Sequence, residues 1–157
     1  MVRKSYQSLI NWGKNNLSIK IVTNKNKKED YIHDFKALHR KVSGKITRND
    51  NTWSVQYKMV EKDEAFLVLG YLNNNLVTAA LFISTNNYCY YGVSASDRKK
   101  INKPMSHAII WEAISHAKSL GIKYFELGEQ LFKNESKELK PINNKELGIS
   151  KFKKGFG

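Results

Sequence analysis

The chain has 157 residues, of which 27 are Lys or Arg and 14 are Asp or Glu, so that it carries a formal net charge of +13 with 41% hydrophobic and 26% charged residues. That length holds one domain with a real core and excludes a second full one; no apolar run approaches the roughly 18 residues of a membrane span. No apolar stretch or small-residue cleavage site follows the basic residues 1–6, so no secretory leader is expected and the cytoplasm is the default compartment.

Tyr6, Leu9, Ile10, Gly13 and Leu17 recur at helical spacing, and so do Tyr31, Phe35, Leu38 and Val42 behind the N-cap candidate Asp30. Two amphipathic helices are predicted, with a polar loop at 23–28 between them. Asp50 caps a third, short helix with Trp53, Tyr57 and Val60 on one face, which leaves Ser43-Gly44-Lys45-Ile46-Thr47-Arg48 as an interhelical loop. Residues 65–71 and 76–84 are apolar, partly β-branched runs around Leu72-Asn73-Asn74-Asn75, a hairpin in which Asn supplies the turn. Residues 88–93 add a third strand, antiparallel to the second, with the lone Cys89 as a buried small hydrophobe. A single cysteine excludes an internal disulfide and leaves too little thiol for a structural zinc site.

A basic loop at 94–103 leads to Pro104 in a first helical turn. Ile110, Ala113, Ile114, Ala117 and Leu120 then form an apolar stripe that stops at Gly121, a C-cap. Residues 122–127 return as a strand, completing a βαβ crossover, and a last short helix is expected over 146–156 after the loop marked by Pro141. The architecture is α/β with a mixed sheet.

The charge favours anionic partners, whether phosphates, nucleic acid or anionic membrane surfaces, and does not choose among them. Arg98, Lys99, Lys100 and Lys103 lie upstream of a helix N-terminus whose free N–H groups and dipole attract anions, so the loop reads either as a phosphate site or as a solvated basic loop. His107 and Trp111, four apart, share a helix face beside it; His107 is a candidate acid or base near neutral pH, or a partly buried structural histidine. Favourable interaction with the helix dipole accounts for His116. Glu126 and Glu129 bracket Leu127-Gly128 at the carboxyl end of a strand, where each is a general-base candidate for an amine or a surface charge. Ser43 and Ser106 lack Ser-His-Asp surroundings, and His33 and His39 lack metal-ligand spacing. No Walker, Rossmann or EF-hand pattern occurs, and no metal is expected.

Several motifs, in this order, carry a family resemblance: Ser43-Gly44-Lys45-Ile46-Thr47-Arg48 with Thr52-Trp53; Tyr90-Tyr91-Gly92-Val93-Ser94-Ala95-Ser96; Pro104-Met105-Ser106-His107-Ala108 with Trp111-Glu112-Ala113-Ile114; Phe125-Glu126-Leu127-Gly128-Glu129; and Phe152-Lys153-Lys154-Gly155-Phe156-Gly157. Together they resemble the acyltransferase fold of the GNAT superfamily, and in particular its FemAB-like branch of peptidoglycan bridge-forming aminoacyltransferases. The resemblance implies a mixed, mainly antiparallel sheet with flanking helices over residues 1–157. It also implies transfer of an acyl or aminoacyl group from acyl-CoA or aminoacyl-tRNA to an amine, with no resident cofactor. The acceptor would be an amino sugar or peptide of a cell-envelope precursor, small or lipid-linked.

In that picture the segment around Arg48 and Trp53 helps form the acceptor site, and Gln56, Tyr91, Trp111 and Phe152 are further substrate contacts. Glu129, Glu126, His107 and Lys153 are the catalytic candidates, with Lys153 able to stabilise the oxyanion of a tetrahedral intermediate. Arg98, Lys99, Lys100 and Lys103 meet the donor's phosphates. The usual pyrophosphate loop, Gln/Arg-x-x-Gly-x-Gly/Ala, does not occur between Arg98 and Ser106, and the sequence stops at Gly157, where the fold ordinarily continues. The expectation is therefore the C-terminal half of a tandem architecture, incomplete at its end, whose last strand pairs through its open edge with a second copy or a missing segment. A rival from another class is a non-catalytic module for an anionic partner such as RNA or a glycan, motivated by the charge and the missing loop.

Overall fold

Helices and strands alternate as α1 (Lys4–Asn16), β1 (Ser18–Val22), α2 (Glu29–Ser43), α3 (Asp50–Glu61), β2 (Ala65–Leu72), β3 (Asn75–Ser84), β4 (Tyr88–Ser96), α4 (Met105–Ser119), β5 (Tyr124–Glu126) and α5 (Asn144–Lys153) in a computed structural model that describes residues 2–99, 101–131 and 143–157. The strands form one sheet in the order β1-β2-β3-β4-β5; every neighbouring pair is antiparallel except β4 and β5, which are parallel. This is the mixed, mainly antiparallel α/β class that the motifs imply. Asn73 and Asn74 turn the β2–β3 hairpin at φ of 49° and 60°, a region that Asn tolerates better than other side chains do.

Helices cover both faces, which is why β2 and β3 are buried almost continuously instead of alternating. On one face Phe35, Leu38, Trp53 and Val60 of α2 and α3 pack on Leu67, Leu69 and Leu81. On the other, Ile109, Ala113 and Ala117 of α4 pack on Phe66, Val68, Phe82 and Cys89. Burial pushes the Cys89 thiol up to about 12, so it behaves as the small hydrophobe expected. α1 lies across α4 with Gly13 against Ala108: a Cβ at Gly13 would come within 2.4 Å of the Ala108 Cβ. α5 closes the same side, where Tyr6, Ile10, Ile110 and Phe156 form a separate cluster.

Several boundaries differ from the sequence reading. β1 was not anticipated; its Ile19 and Ile21 alternate with polar residues over only five positions. The N-caps fall earlier than Asp30 and Asp50, at Lys28 and at Asn49, whose Oδ1 accepts the Thr52 N–H at 2.8 Å. α5 starts earlier too, on an Asn143/Glu146 capping box. β4 runs on to Ser96, whereas β5 is limited to three residues. Lys100 and Pro141 lie outside the described residues. Among those described, no helix is long and apolar enough to cross a membrane.

β4 and β5 are unequal in length. They pair only at Tyr88↔Tyr124, Cys89↔Phe125 and Tyr90↔Glu126, and β4 then continues for six residues without β5 beside it.

Candidate active site

A cleft of about 740 Å³ opens between the β4–α4 loop, the first turn of α4, α1 and α5, with Arg98, Lys103, Ser106, His107 and Phe152 in its lining. Pro104, the N-cap of α4, makes no side-chain capping bond; the Met105 and His107 N–H groups donate to the Lys103 and Pro104 carbonyls, and the positive end of the helix dipole faces the cleft. Arg98 and Lys103 add full positive charge at the same end. The loop that carries them is anchored by a buried carboxylate: Asp97 pairs with Lys41 of α2 at 2.6 Å, its N–H donates to the Val77 carbonyl, and its carbonyl accepts from the Ile101 N–H.

His107 is held edge-on between Tyr6 and Phe152, with ring centroids 4.6 and 5.0 Å away. Its Nδ1 lies 3.3 Å from the Pro104 carbonyl, and donation there leaves Nε2 with a free lone pair. Burial lowers its pKa from the usual histidine value, the Pro104 contact opposes this, and the Arg98 charge adds to the lowering. The ring is therefore neutral at pH 7. Next to Phe152, Lys153 donates from Nζ to the Glu129 carbonyl at 2.9 Å. Gly128, at φ 78°, allows the approach: a Cβ there would lie 3.4 Å from both Lys153 Nζ and Tyr90 Oη. The end of β5, with exposed Glu126 and Glu129, thus folds back towards Lys153 where β4 and β5 separate.

No family model matches this chain, and no curated protein matches it in sequence. Solved structures do match in shape. An aminoglycoside acetyltransferase from an uncultured soil metagenomic sample, crystallised with sisomicin, superposes at a TM-score of 0.61 with 11% identity over 74% of this chain and 80% of its own. AAC(6')-Iy, in complex with the bisubstrate analogue CoA-S-monomethyl-acetylneamine, gives 0.57 at 6% identity over 72% and 80%. A GNAT family acetyltransferase from Staphylococcus aureus gives 0.55 at 12% identity over 82% and 98%. The fold is that of GNAT acetyltransferases.

Within this GNAT fold the residues singled out from sequence divide into groups. Arg98, Lys103, His107 and Phe152 share the cleft, and Lys153, Glu129 and Glu126 gather at the parted strands. Lys99 lies on the loop's other side with Lys41 and Asp97. Tyr91 is half-buried against Phe82, its ring 5.4 Å away, and burial raises its hydroxyl pKa while a hydrogen bond with Ser94 and the Arg98 charge pull it back. Trp111 packs beside Tyr6, Ile10 and Phe156 in the α1–α4 cluster.

Arg48, Trp53 and Gln56 belong to the helical layer on the opposite face of the sheet. Arg48 Nη1 is 3.3 Å from His39 Nε2, the His39 ring is 5.4 Å from Trp53, and Trp53 is only 4% exposed against Phe35. Gln56 is half-buried, and its Oε1 has no hydrogen-bond partner among the described residues. Trp53→Ala is accordingly expected to cost about 3–5 kcal/mol, so that thermal denaturation registers it before turnover does. An unchanged melting temperature would remove Trp53 from the core.

His116 is not explained by its helix dipole, which would raise its pKa; it packs edge-on against Phe66 at 4.7 Å and burial lowers it. His39 is lowered too, by burial and then by Arg48. With His107, three histidines resist protonation in the folded chain and accept it when unfolded. The stability they contribute is present above about pH 6.5 and is lost as the pH falls below it. Thermal unfolding from about pH 7 to about pH 5 should show a falling midpoint. A midpoint that rises on acidification would contradict this assignment.

The residues that sequence reasoning missed are Tyr6, Ser96, Asp97 and the cleft-lining Ser106. Asp97 had a local signal, standing between a strand and a basic loop. The others gain their meaning from partners far along the chain.

Proposed function

We propose that the chain is an N-acyltransferase that moves an acyl group from acyl-CoA to an amine. The observation that carries this reading is the cleft between the β4–α4 loop, α1, α4 and α5: it brings together the N-terminus of α4, Arg98, Lys103 and a histidine whose protonation burial disfavours. The donor's phosphates bind at the basic end, by dipole and charge. The thioester then lies along the part of β4 that β5 does not pair, where backbone N–H and C=O groups suit an amide-bearing arm. The acceptor amine attacks the thioester carbonyl carbon, the C–S bond breaks, and the sulfur leaves as a thiolate that is subsequently protonated. His107 Nε2 takes the proton from the amine, and Lys153 stabilises the oxyanion of the intermediate. Exposed Glu126 and Glu129 draw a cationic amine towards the parting.

The acceptor we propose is an amino sugar or peptide amine of a cell-envelope precursor, as in the FemAB-like branch. Support comes from the ordered motifs of the sequence and from exposed Tyr88, Tyr90 and Tyr124 beside Glu126, a surface suited to a sugar ring. Incubation with acetyl-CoA and a panel of amino sugars and peptides, followed by mass spectrometry, tests the reading. An acceptor that gains the mass of one acetyl group supports it. Turnover only with aminoacyl-tRNA would change the donor, and RNA binding that weakens steeply with salt, without turnover, would favour the anion-binding module.

A further inference from the structure

Three hydroxyls on three elements form an unbroken chain that ends in the cleft. Thr78 Oγ1 on β3 is 2.8 Å from Ser96 Oγ on β4, and Ser96 Oγ is 2.9 Å from Ser106 Oγ in the first turn of α4. Thr78 and Ser96 are register partners, so both point from the sheet towards α4. Thr78 is only 1% exposed, whereas Ser106 lines the cleft with Arg98, Lys103 and His107.

Counting protons gives this chain a direction. Three hydroxyls hold three protons and make two links, so one proton is left over: on Thr78, on Ser106 or, if Ser96 accepts from both neighbours, on Ser96, where among the described residues it has no further acceptor. If Ser106 donated to Ser96 and Ser96 to Thr78, the remaining proton would sit on Thr78. There, among the described residues, the Thr78 hydroxyl has no hydrogen-bond partner other than Ser96, and its burial excludes water. The opposite order leaves every link satisfied: Thr78 donates to Ser96, Ser96 donates to Ser106, and the spare proton on Ser106 faces the cleft. Each donation also polarises the next hydroxyl, which strengthens Ser106 as a donor.

We propose that Thr78–Ser96–Ser106 is a one-way hydroxyl relay that fixes Ser106 as a hydrogen-bond donor to a phosphoryl oxygen of the donor substrate. Thr78 and Ser96 are positioning residues, and Ser106 is the contact. The relay rests on the acyl-CoA reading above and assigns it a neutral donor beside Arg98 and Lys103. It also accounts for a threonine at a buried strand position where valine would fill the same volume.

The test is calorimetric binding of inorganic pyrophosphate and of acetyl-CoA to the full chain and to four variants, each first shown to keep a cooperative thermal transition. Ser106→Ala should weaken both ligands about tenfold. Thr78→Val should weaken them by about 2–5-fold, and Thr78→Ser should restore them. The double variant should bind no more weakly than Ser106→Ala alone, because Thr78 acts only through Ser106. Additive losses in the double variant, or full affinity in Thr78→Val, would overturn the relay while the anion site stands. If the unaltered chain binds neither ligand, the functional reading fails and the relay falls with it.

Discussion

His107→Gln is expected to lower turnover at saturating substrates by about 10²–10⁴-fold, the usual contribution of a positioned acid or base. The substitution keeps the volume wedged between Tyr6 and Phe152 but removes the free lone pair at Nε2. Its most specific signature is in the pH profile. Because burial and Arg98 hold the His107 pKa below the usual histidine value, the unaltered protein should, on the proposed function, lose activity on the acid side as the ring becomes protonated. That acid limb should disappear in the variant, whose residual rate no longer depends on the imidazole. Rapid turnover with the limb intact would move the base elsewhere, with Glu126 and Glu129 next in line.

A single methyl group at Gly155 should have a large effect on stability. An ideal Cβ there would lie 2.1, 2.3 and 2.6 Å from Cε2, Cζ and Oη of Tyr6. Tyr6 has little room to yield: it is 8% exposed, and its hydroxyl donates to the Phe152 carbonyl at 3.1 Å. Gly155→Ala is therefore expected to cost about 3 kcal/mol, a fall of about 10 °C in melting temperature for a chain of this size. Trimming Tyr6 to alanine in the same chain should make the added methyl nearly neutral, which a general loss of α5 packing would not do. An unshifted melting curve for Gly155→Ala would show that α5 does not seat on α1 as described.

The parts of the fold most legible from sequence were those whose cause is local. The Asn73-Asn74 turn, the apolar stripe of α4 and its stop at Gly121, and the return of the chain as β5 all depend on residues within a few positions of one another. β1 was missed because it follows α1 with only Leu17 between, and no glycine or proline separates them. The caps slipped because two polar residues stand side by side at Asn49 and Asp50, and only the bond to Thr52 distinguishes them. The same division holds at the candidate site. His107, Arg98 and Lys103 could be grouped by their nearness to one helix start. Ser106 stands in the same turn but carries no signal of its own, because its significance comes from Ser96 and, through it, from Thr78 on another strand. Trp53 was the reverse case: the resemblance put it at the acceptor site, whereas its ring is buried against Phe35 of α2.

The seam between α1 and α5 bears on how the protein comes into being. β2, β3 and β4 join neighbour to neighbour through short turns, and their contacts cost little loop entropy. The seam instead joins Tyr6 to Phe152 across 146 residues and Arg3 to Gly155 through a 2.8 Å backbone bond. A nascent chain leaving the ribosome can thus assemble its sheet well before it can complete the cleft. Until α5 arrives, the Tyr6 and His107 rings lack their aromatic cover and present an apolar surface of the kind that chaperones recognise, so the protein is folded for some time before it is competent.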